Sequence, residues 1–214
     1  MLVRKWMTST PKTIGKGQSV TDAIRMLKES GIRHLPVMDG DRLVGIVTDR
    51  DLKDFSPSKA TTLDMFELHY LLSKATVADA MRRNPVTVQP DDTIEKAALL
   101  MHDHKIGCLP VLGEKGRLVG LLTQEDVFEA LVKVTGAGTD TVRLQMTISD
   151  QPGSIKVVTD KARAHGANLR SILTTYVNVP LGRRELILRV AGDTSDLEEE
   201  LRRDYPDLIV HRGS

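Results

Sequence analysis

The chain has 214 residues, 40% hydrophobic and 28% charged, which is an ordinary soluble globular composition and enough length for two compact units. Aromatic residues make up 3%, too few for a run of base-stacking platforms. The net charge of +1, balanced on both sides of Thr139/Asp140, lays down no basic footprint for nucleic acid. A single cysteine, Cys108, excludes an intramolecular disulfide and fits a reducing compartment; in the apolar run 106–112 it reads as a small buried hydrophobe. Residues 1–6 lack the apolar core of a signal peptide and no apolar run reaches membrane-spanning length, so a cytoplasmic protein without a membrane partner is expected.

The chain repeats itself. Met7 pairs with Met81, Pro11 with Pro85, Ala23 with Ala97 and Leu35-Pro36-Val37 with Leu109-Pro110-Val111, all at an offset of 74. After one extra residue near Gly116, Leu43-Val44-Gly45 pairs with Leu118-Val119-Gly120 at an offset of 75. Each copy opens with Met-x-x-x-Pro and a short extended piece, 12–14 or 86–88. Ser19 or Thr93 then caps a helix with an apolar stripe: Val20, Ala23, Ile24, Leu27 in copy one and Ile94, Ala97, Ala98, Met101 in copy two. Two strands follow around a turn, 32–38 and 42–47 in copy one, 106–112 and 117–122 in copy two. Between the copies, Leu63, Phe66, Tyr70 and Leu71 fall on one face of a predicted linker helix.

The most telling stretch is Gly45-Ile46-Val47-Thr48-Asp49-Arg50-Asp51, matched by Gly120-Leu121-Leu122-Thr123-Gln124-Glu125-Asp126. A strand ends at a Thr, and three residues on an Asp stands where a helix begins. Two readings share this geometry. In one, Thr and Asp form a capping box. In the other, free N–H groups and the Thr hydroxyl hold a phosphate while the carboxylate grips the paired hydroxyls of a ribose.

Thr135-Gly136-Ala137-Gly138-Thr139 reads as a hinge, and beyond it the period changes. Val142, Leu144, Met146 and Ile148 alternate as a strand, and Asp150-Gln151-Pro152-Gly153 is a turn opening a helix that Gly166 stops. Strands at 168–176 and 185–190, a helix near Ser195 and a strand at 208–210 complete β-α-β-β-α-β, a ferredoxin-like sandwich. Arg183-Arg184 reads as a solvated tip, and the acidic run Asp196, Glu198, Glu199, Glu200 as a complement to a helix dipole. His102 and His104, two apart, point to different sides of a helix and do not share a metal. No motif pairs a nucleophile with a base, so a regulatory binding protein is expected and not an enzyme.

Met7-Thr8-x-x-Pro11, His34-Leu35-Pro36-Val37 and the Gly-h-h-Thr-x-x-Asp stretch, each with a second-copy counterpart, resemble a tandem pair of CBS domains, the modules named after cystathionine β-synthase. The Asp-x-Pro-Gly turn, Gly166 and Asn168 resemble an ACT domain, and the whole order is similar to accessory proteins of acetoin utilisation. The resemblance implies an α+β chain: CBS domain 1 over 1–57, a linker helix over 58–75, CBS domain 2 over 76–135 and an ACT domain over 140–214. The CBS pair would be a two-lobed α/β sandwich with pseudo-two-fold symmetry and two clefts for an adenosyl ligand such as AMP, ADP, ATP or S-adenosylmethionine, with no other cofactor and no metal.

Carried over by position, Asp51 and Asp126 would hold ribose, Thr48 and Thr123 the phosphate side, and Thr13-Ile14 and Thr87-Val88 the base. Arg33-His34 and Gly107-Cys108, each followed by Pro36 or Pro110, would line the clefts. Arg50 joins Arg33 and His34 near phosphate in copy one, whereas Glu125 stands there in copy two and repels it. In the ACT domain, Asp150, Gly153, Ser154 and Asn168 would take a small amino acid. A homodimer or larger assembly, switching a partner protein, is expected; amino-acid sensing through the ACT domain, with the CBS pair as scaffold, is the alternative.

Overall fold

Each copy's lead-in segment finishes the other copy's sheet. The computed structural model describes residues 1–55 and 74–213, and the predicted linker helix lies, up to residue 73, outside the described residues. The chain divides into two compact units, Met1–Phe128 and Glu129–Ser214, and the division falls inside a helix ahead of the predicted hinge.

In the first unit, β1 (Thr8–Ser9) and β2 (Ile14–Gly15) precede α1 (Val20–Ser30), β3 (His34–Asp39), β4 (Arg42–Thr48) and α2 (Asp49–Phe55). Copy two supplies α3 (Val77–Ala80), β5 (Arg82–Arg83), α4 (Ile94–His104), β6 (Cys108–Leu112), β7 (Leu118–Thr123) and α5 (Gln124–Thr135). The sheet orders are β2-β3-β4-β5 and β1-β7-β6. Thus β5 of copy two pairs with β4 of copy one, and β1 of copy one pairs with β7 of copy two. A single bridge, Val88 to Val111, stands in copy two where β2 pairs with β3 in copy one.

Local chemistry accounts for the elements. Ser19 Oγ accepts from the Asp22 amide and Thr93 Oγ1 from the Lys96 amide, both at 3.1 Å, so both predicted caps start their helices. Val20, Ala23 and Leu27 are buried, as are Ile94, Ala97 and Met101, while Ile24 is 39% exposed and leaves the expected stripe. Leu35, Val37 and Val47 of the strands join α1 in one core, and Val77 from the copy-two lead-in completes it. Ile46, Cys108 and Leu121 form a small buried cluster where the two sheets meet.

The glycine before each Thr-x-x-Asp serves this crossing. A Cβ on Gly45 would lie 2.5 Å from Met81 Sδ and 2.9 Å from the Arg82 carbonyl; on Gly120 it would lie 2.5 Å from Met7 Sδ and 3.2 Å from the Thr8 carbonyl. The Met of each lead-in therefore lies on the glycine of the other copy. At the end of each crossing strand the backbone turns left-handed, at Thr10 (φ 52°) and Asn84 (φ 51°). Asn tolerates that region, and β-branched Thr does so at a cost.

The second unit runs β8 (Val142–Ser149), α6 (Ser154–Ala164), β9 (Asn168–Thr175), β10 (Arg183–Ala191), α7 (Ser195–Asp204) and β11 (Ile209–Arg212). Its sheet order, β11-β8-β10-β9, is antiparallel throughout. Val158, Ala162, Leu197 and Leu201 bring both helices onto the sheet face formed by Leu144, Met146, Ile148, Leu186, Leu188 and Val190. This is the expected β-α-β-β-α-β sandwich. The acidic run on α7 does more than complement a dipole. Glu198, only 7% exposed, accepts from Thr194 Oγ1 at 2.6 Å, and one guanidinium nitrogen of Arg212, Nη2, donates to both its carboxylate oxygens at 2.6 and 2.7 Å. Glu200 joins α7 to Lys161 and His165 of the α6 end, and these partners hold its carboxyl below the usual range.

Gly45→Ala should destabilise the first unit by about 1–3 kcal/mol, because a crossing backbone carbonyl cannot yield as a side chain would. Thr10→Asn should stabilise it by about 1 kcal/mol through relief of the left-handed strain. Chemical denaturation midpoints test both, and a Gly45→Ala protein as stable as its parent would contradict the crossing argument.

Candidate functional site

Both Thr-x-x-Asp segments form the capping box in full. Asp51 Oδ2 accepts from the Thr48 amide at 3.0 Å and from Thr48 Oγ1 at 2.6 Å, and that hydroxyl accepts from the Asp51 amide at 3.2 Å. In copy two, Asp126 Oδ2 accepts from the Thr123 amide and Oγ1, both at 2.7 Å, with the return bond at 3.3 Å. The first helical amides are also occupied, Asp49 N–H by the Arg33 carbonyl and Gln124 N–H by the Gly107 carbonyl. The cap hydroxyls and the strand carbonyls thus take the Asp49, Asp51, Gln124 and Asp126 amides, which corrects the expectation of free N–H groups at those positions.

Residues assigned to separate clefts in fact meet across the copies. Arg82, on β5 of copy two, donates from Nε to Asp51 Oδ1 of copy one at 2.8 Å, where the carboxylate side chain is only 9% exposed. Arg33 of copy one lies 3.6 Å from Glu125 of copy two, with both side chains largely in solvent, where such a pair contributes little stability. Glu125 thus faces an arginine, and the expected simple repulsion at the second site is corrected. Gly107 leaves room between His34 and Gln124: a Cβ there would lie 3.5 Å from His34 Nε2 and 3.5 Å from Gln124 Oε1.

Burial holds the His34 imidazole below its ordinary pKa of 6.5 and the Arg33 charge adds to this, while Glu125 and Asp51 pull the other way. Burial pushes the Cys108 thiol up to about 12, with Asp51 adding and Arg82 opposing, so Cys108 is a protonated wall residue. His34, Asp51, Arg82, Cys108 and Glu125 therefore share one electrostatic neighbourhood.

The remaining expected residues divide. Thr13 and Arg50 are exposed and Thr87 is half-buried. Ile14 and Val88, at 1% and 2% exposure, turn their side chains into the core, so only backbone there could meet a base; Pro36 and Pro110 are buried too, but stand opposite Ile46 and Leu121 on the other face of their strands. Arg82 was not among the expected site residues. Its signal was present in the repeat, because Met81-Arg82 aligns with Met7-Thr8, but only the crossing strand carries it onto the other copy's Asp.

In the second unit, Asp150, Gly153 and Ser154 gather at the start of α6, where Gly153 takes φ 88°. Asn168 does not join them. It follows the other end of an 11-residue helix, about 16 Å away at 1.5 Å per residue, beside an open hollow of about 550 Å³ that it shares with Thr159, Asp160 and Arg163. Arg184 is no solvated tip: its side chain is 17% exposed, its Nε lies 3.4 Å from Asp150 Oδ1, and its terminal nitrogen donates to Ser154 Oγ at 2.9 Å. Tyr176 Oη donates to Asp150 Oδ1 at 3.2 Å.

A duplicated α/β unit with exchanged lead-ins and a Thr–Asp pair at each second-helix start defines a tandem-module architecture. The chain belongs to the CBS domain family, which matches residues 3–58 and 77–133. It is 36% identical over 141 residues to a CBS domain-containing protein of Dictyostelium discoideum, covering 63% of this chain and 93% of that protein. Two of the other curated proteins that it matches are enzymes, an inosine-5'-monophosphate dehydrogenase of Korarchaeum cryptofilum and a homoserine O-acetyltransferase of Methanohalobium evestigatum, of which it spans only 33% and 21%. Among solved structures it is similar to CBSX2, an Arabidopsis thaliana CBS-pair protein, in complex with AMP: TM-score 0.52, 32% identity, 62% of this chain and 97% of that one. A protein from Vibrio cholerae ascribed to acetoin utilization gives TM-score 0.51 and 30% identity over 62% of this chain and 90% of that one. Among the described residues, no helix is long and apolar enough to cross a membrane.

His34 makes stability pH-dependent with a definite sign. Its folded pKa is lowered from 6.5, so the unfolded chain binds the proton more readily; the contribution is full above 6.5 and is lost as pH falls below it. His34→Gln should flatten the fall in denaturation midpoint between about pH 7.5 and about pH 5.5 relative to the parent. An identical fall in both proteins would contradict the burial of a neutral imidazole.

Proposed function

We propose that this chain is a regulatory sensor of adenine nucleotides, binding them in the clefts between its CBS copies and passing the change to a partner protein through the orientation of the two lobes. The observation that carries the reading is the pair of Thr–Asp constellations, alike in geometry and set where Arg33, His34 and Arg82 converge. The similarity to CBSX2 crystallised with AMP supports the ligand class. A ligand in the cleft favours the lobe arrangement that it contacts best, and the partner reads that shift.

The C-terminal unit is read as an ACT domain, supported by its strand order and by the Asp-x-Pro-Gly turn. The likeness to the Vibrio cholerae protein supports a place among accessory proteins of acetoin utilisation; a homodimer or larger assembly is part of the same proposal. Amino-acid sensing has one feature in its favour, the guanidinium of Arg184 on Ser154 at the α6 start, but Asn168 stands away from that turn in the same chain.

Titration calorimetry with AMP, ADP and ATP tests the reading. Saturable binding is expected, and Asp51→Ala should weaken it by roughly ten- to a hundredfold, the worth of a charge-assisted pair of hydrogen bonds. Asp126→Ala should cost less with ATP, because copy one holds more of the cations. Thermal melts separate this from loss of the cap, which alone costs about 0.5–2 kcal/mol of stability and leaves affinity intact. Heat with small amino acids and none with nucleotides would replace the reading by its alternative.

A further inference from the structure

The two Asp carboxylates differ in what they have left to offer. A carboxylate provides about four acceptor positions. Asp51 has three in use, from the Thr48 amide, the Thr48 hydroxyl and the Arg82 guanidinium. Asp126 has two in use, both from Thr123, and among the described residues it carries no ion pair. A ribose diol brings two donors. Asp126 can take both as it stands, whereas Asp51 can do so only after Arg82 lets go.

The difference has one sequence cause. Arg82 stands opposite Ile46 on the crossing strand, and the residue at the matching place opposite Leu121 is Thr8, too short and uncharged to reach as Arg82 does. The Arg82–Asp51 pair is also better made than an ordinary surface pair. Its carboxylate is 9% exposed and close enough to the buried Cys108 to act on its thiol, so water screens that end of the pair little, while the Arg82 side chain is 59% exposed. An uncharged nucleoside that displaced Arg82 would leave the guanidinium without an anion. A phosphorylated nucleoside supplies that anion itself.

We propose that Arg82 is the specificity-determining residue of the copy-one cleft: a latch on Asp51 that a ligand exchanges for its own phosphate, so that this cleft selects phosphorylated adenine nucleotides while the copy-two cleft, with Thr8, accepts nucleosides as well. The proposal rests on the reading of Asp51 and Asp126 as ribose ligands. It assigns the two clefts different ligand classes in one chain, and it makes Arg82 a residue that moves between two anions.

The test is calorimetry on the full chain with adenosine and AMP, in an Asp126→Ala background so that the heat reports copy one. AMP should bind about tenfold or more tighter than adenosine. Arg82→Thr, which gives copy one the residue of copy two, should tighten adenosine by about three- to tenfold and remove most of the AMP preference. The reciprocal change, Thr8→Arg in an Asp51→Ala background, should weaken adenosine at copy two, and it stands as an independent measurement if Arg82→Thr folds poorly. Adenosine affinity unchanged or weakened by Arg82→Thr, with AMP still bound, overturns the latch and leaves the nucleotide reading intact. If neither adenosine nor AMP binds the parent protein, the nucleotide reading itself falls and the latch with it.

Discussion

The crossing of the two lead-in segments is the constraint on which the first unit depends. Met7 lies on Gly120 and Met81 on Gly45, each with its following residues paired to the other copy's strand. Either glycine, given a side chain, would drive the crossing strand off. Neither copy is a finished sheet alone, and Val77 of copy two closes the core of copy one. Folding of one copy is thus coupled to folding of the other. The same crossing brings Arg82 to Asp51, so the architecture and the electrostatics of the cleft have a common origin.

In that cleft, groups that would otherwise be costly partner one another. Asp51 is nearly buried and would be penalised as a lone charge, but the cap and Arg82 satisfy it. His34 answers burial differently, by staying neutral, and Cys108 by staying protonated. The resting cleft is therefore internally neutralised, and on the reading proposed above a ligand would enter by exchange of partners. Such exchange is cheap when the ligand brings matching charge and dear when it does not, which gives selectivity without a tightly enclosing pocket.

The second unit uses charge for cohesion. Lys161 bridges Glu200 and Asp204, whose hydrogen bonds raise its pKa, and His165 completes the set from the end of α6. Glu198 ties the start of α7 to the last strand through Arg212. These contacts join α6, α7 and β11, elements that follow one another at long sequence separation, across the single apolar face that the strands present.

Much of this was determined by the sequence itself. Duplication at a constant offset, helix caps at Ser19 and Thr93, alternation in 142–148 and the Asp-x-Pro-Gly turn all depend on near neighbours and chain period, and these survive without tertiary information. The Thr–Asp pairs were legible for the same reason, being three residues apart. What the sequence left undecided depended on partners distant along the chain. Arg82 reaches Asp51 across 31 residues, Glu125 reaches Arg33 across copies, Arg184 folds onto Ser154, and Asn168 is carried to the far end of α6. Only the tertiary structure decided these: the packing of Met on Gly between copies sets which lead-in completes which sheet, and with it the cross-copy pairs, while in the second unit the pairing of β10 with β8 sets Arg184 beside the start of α6.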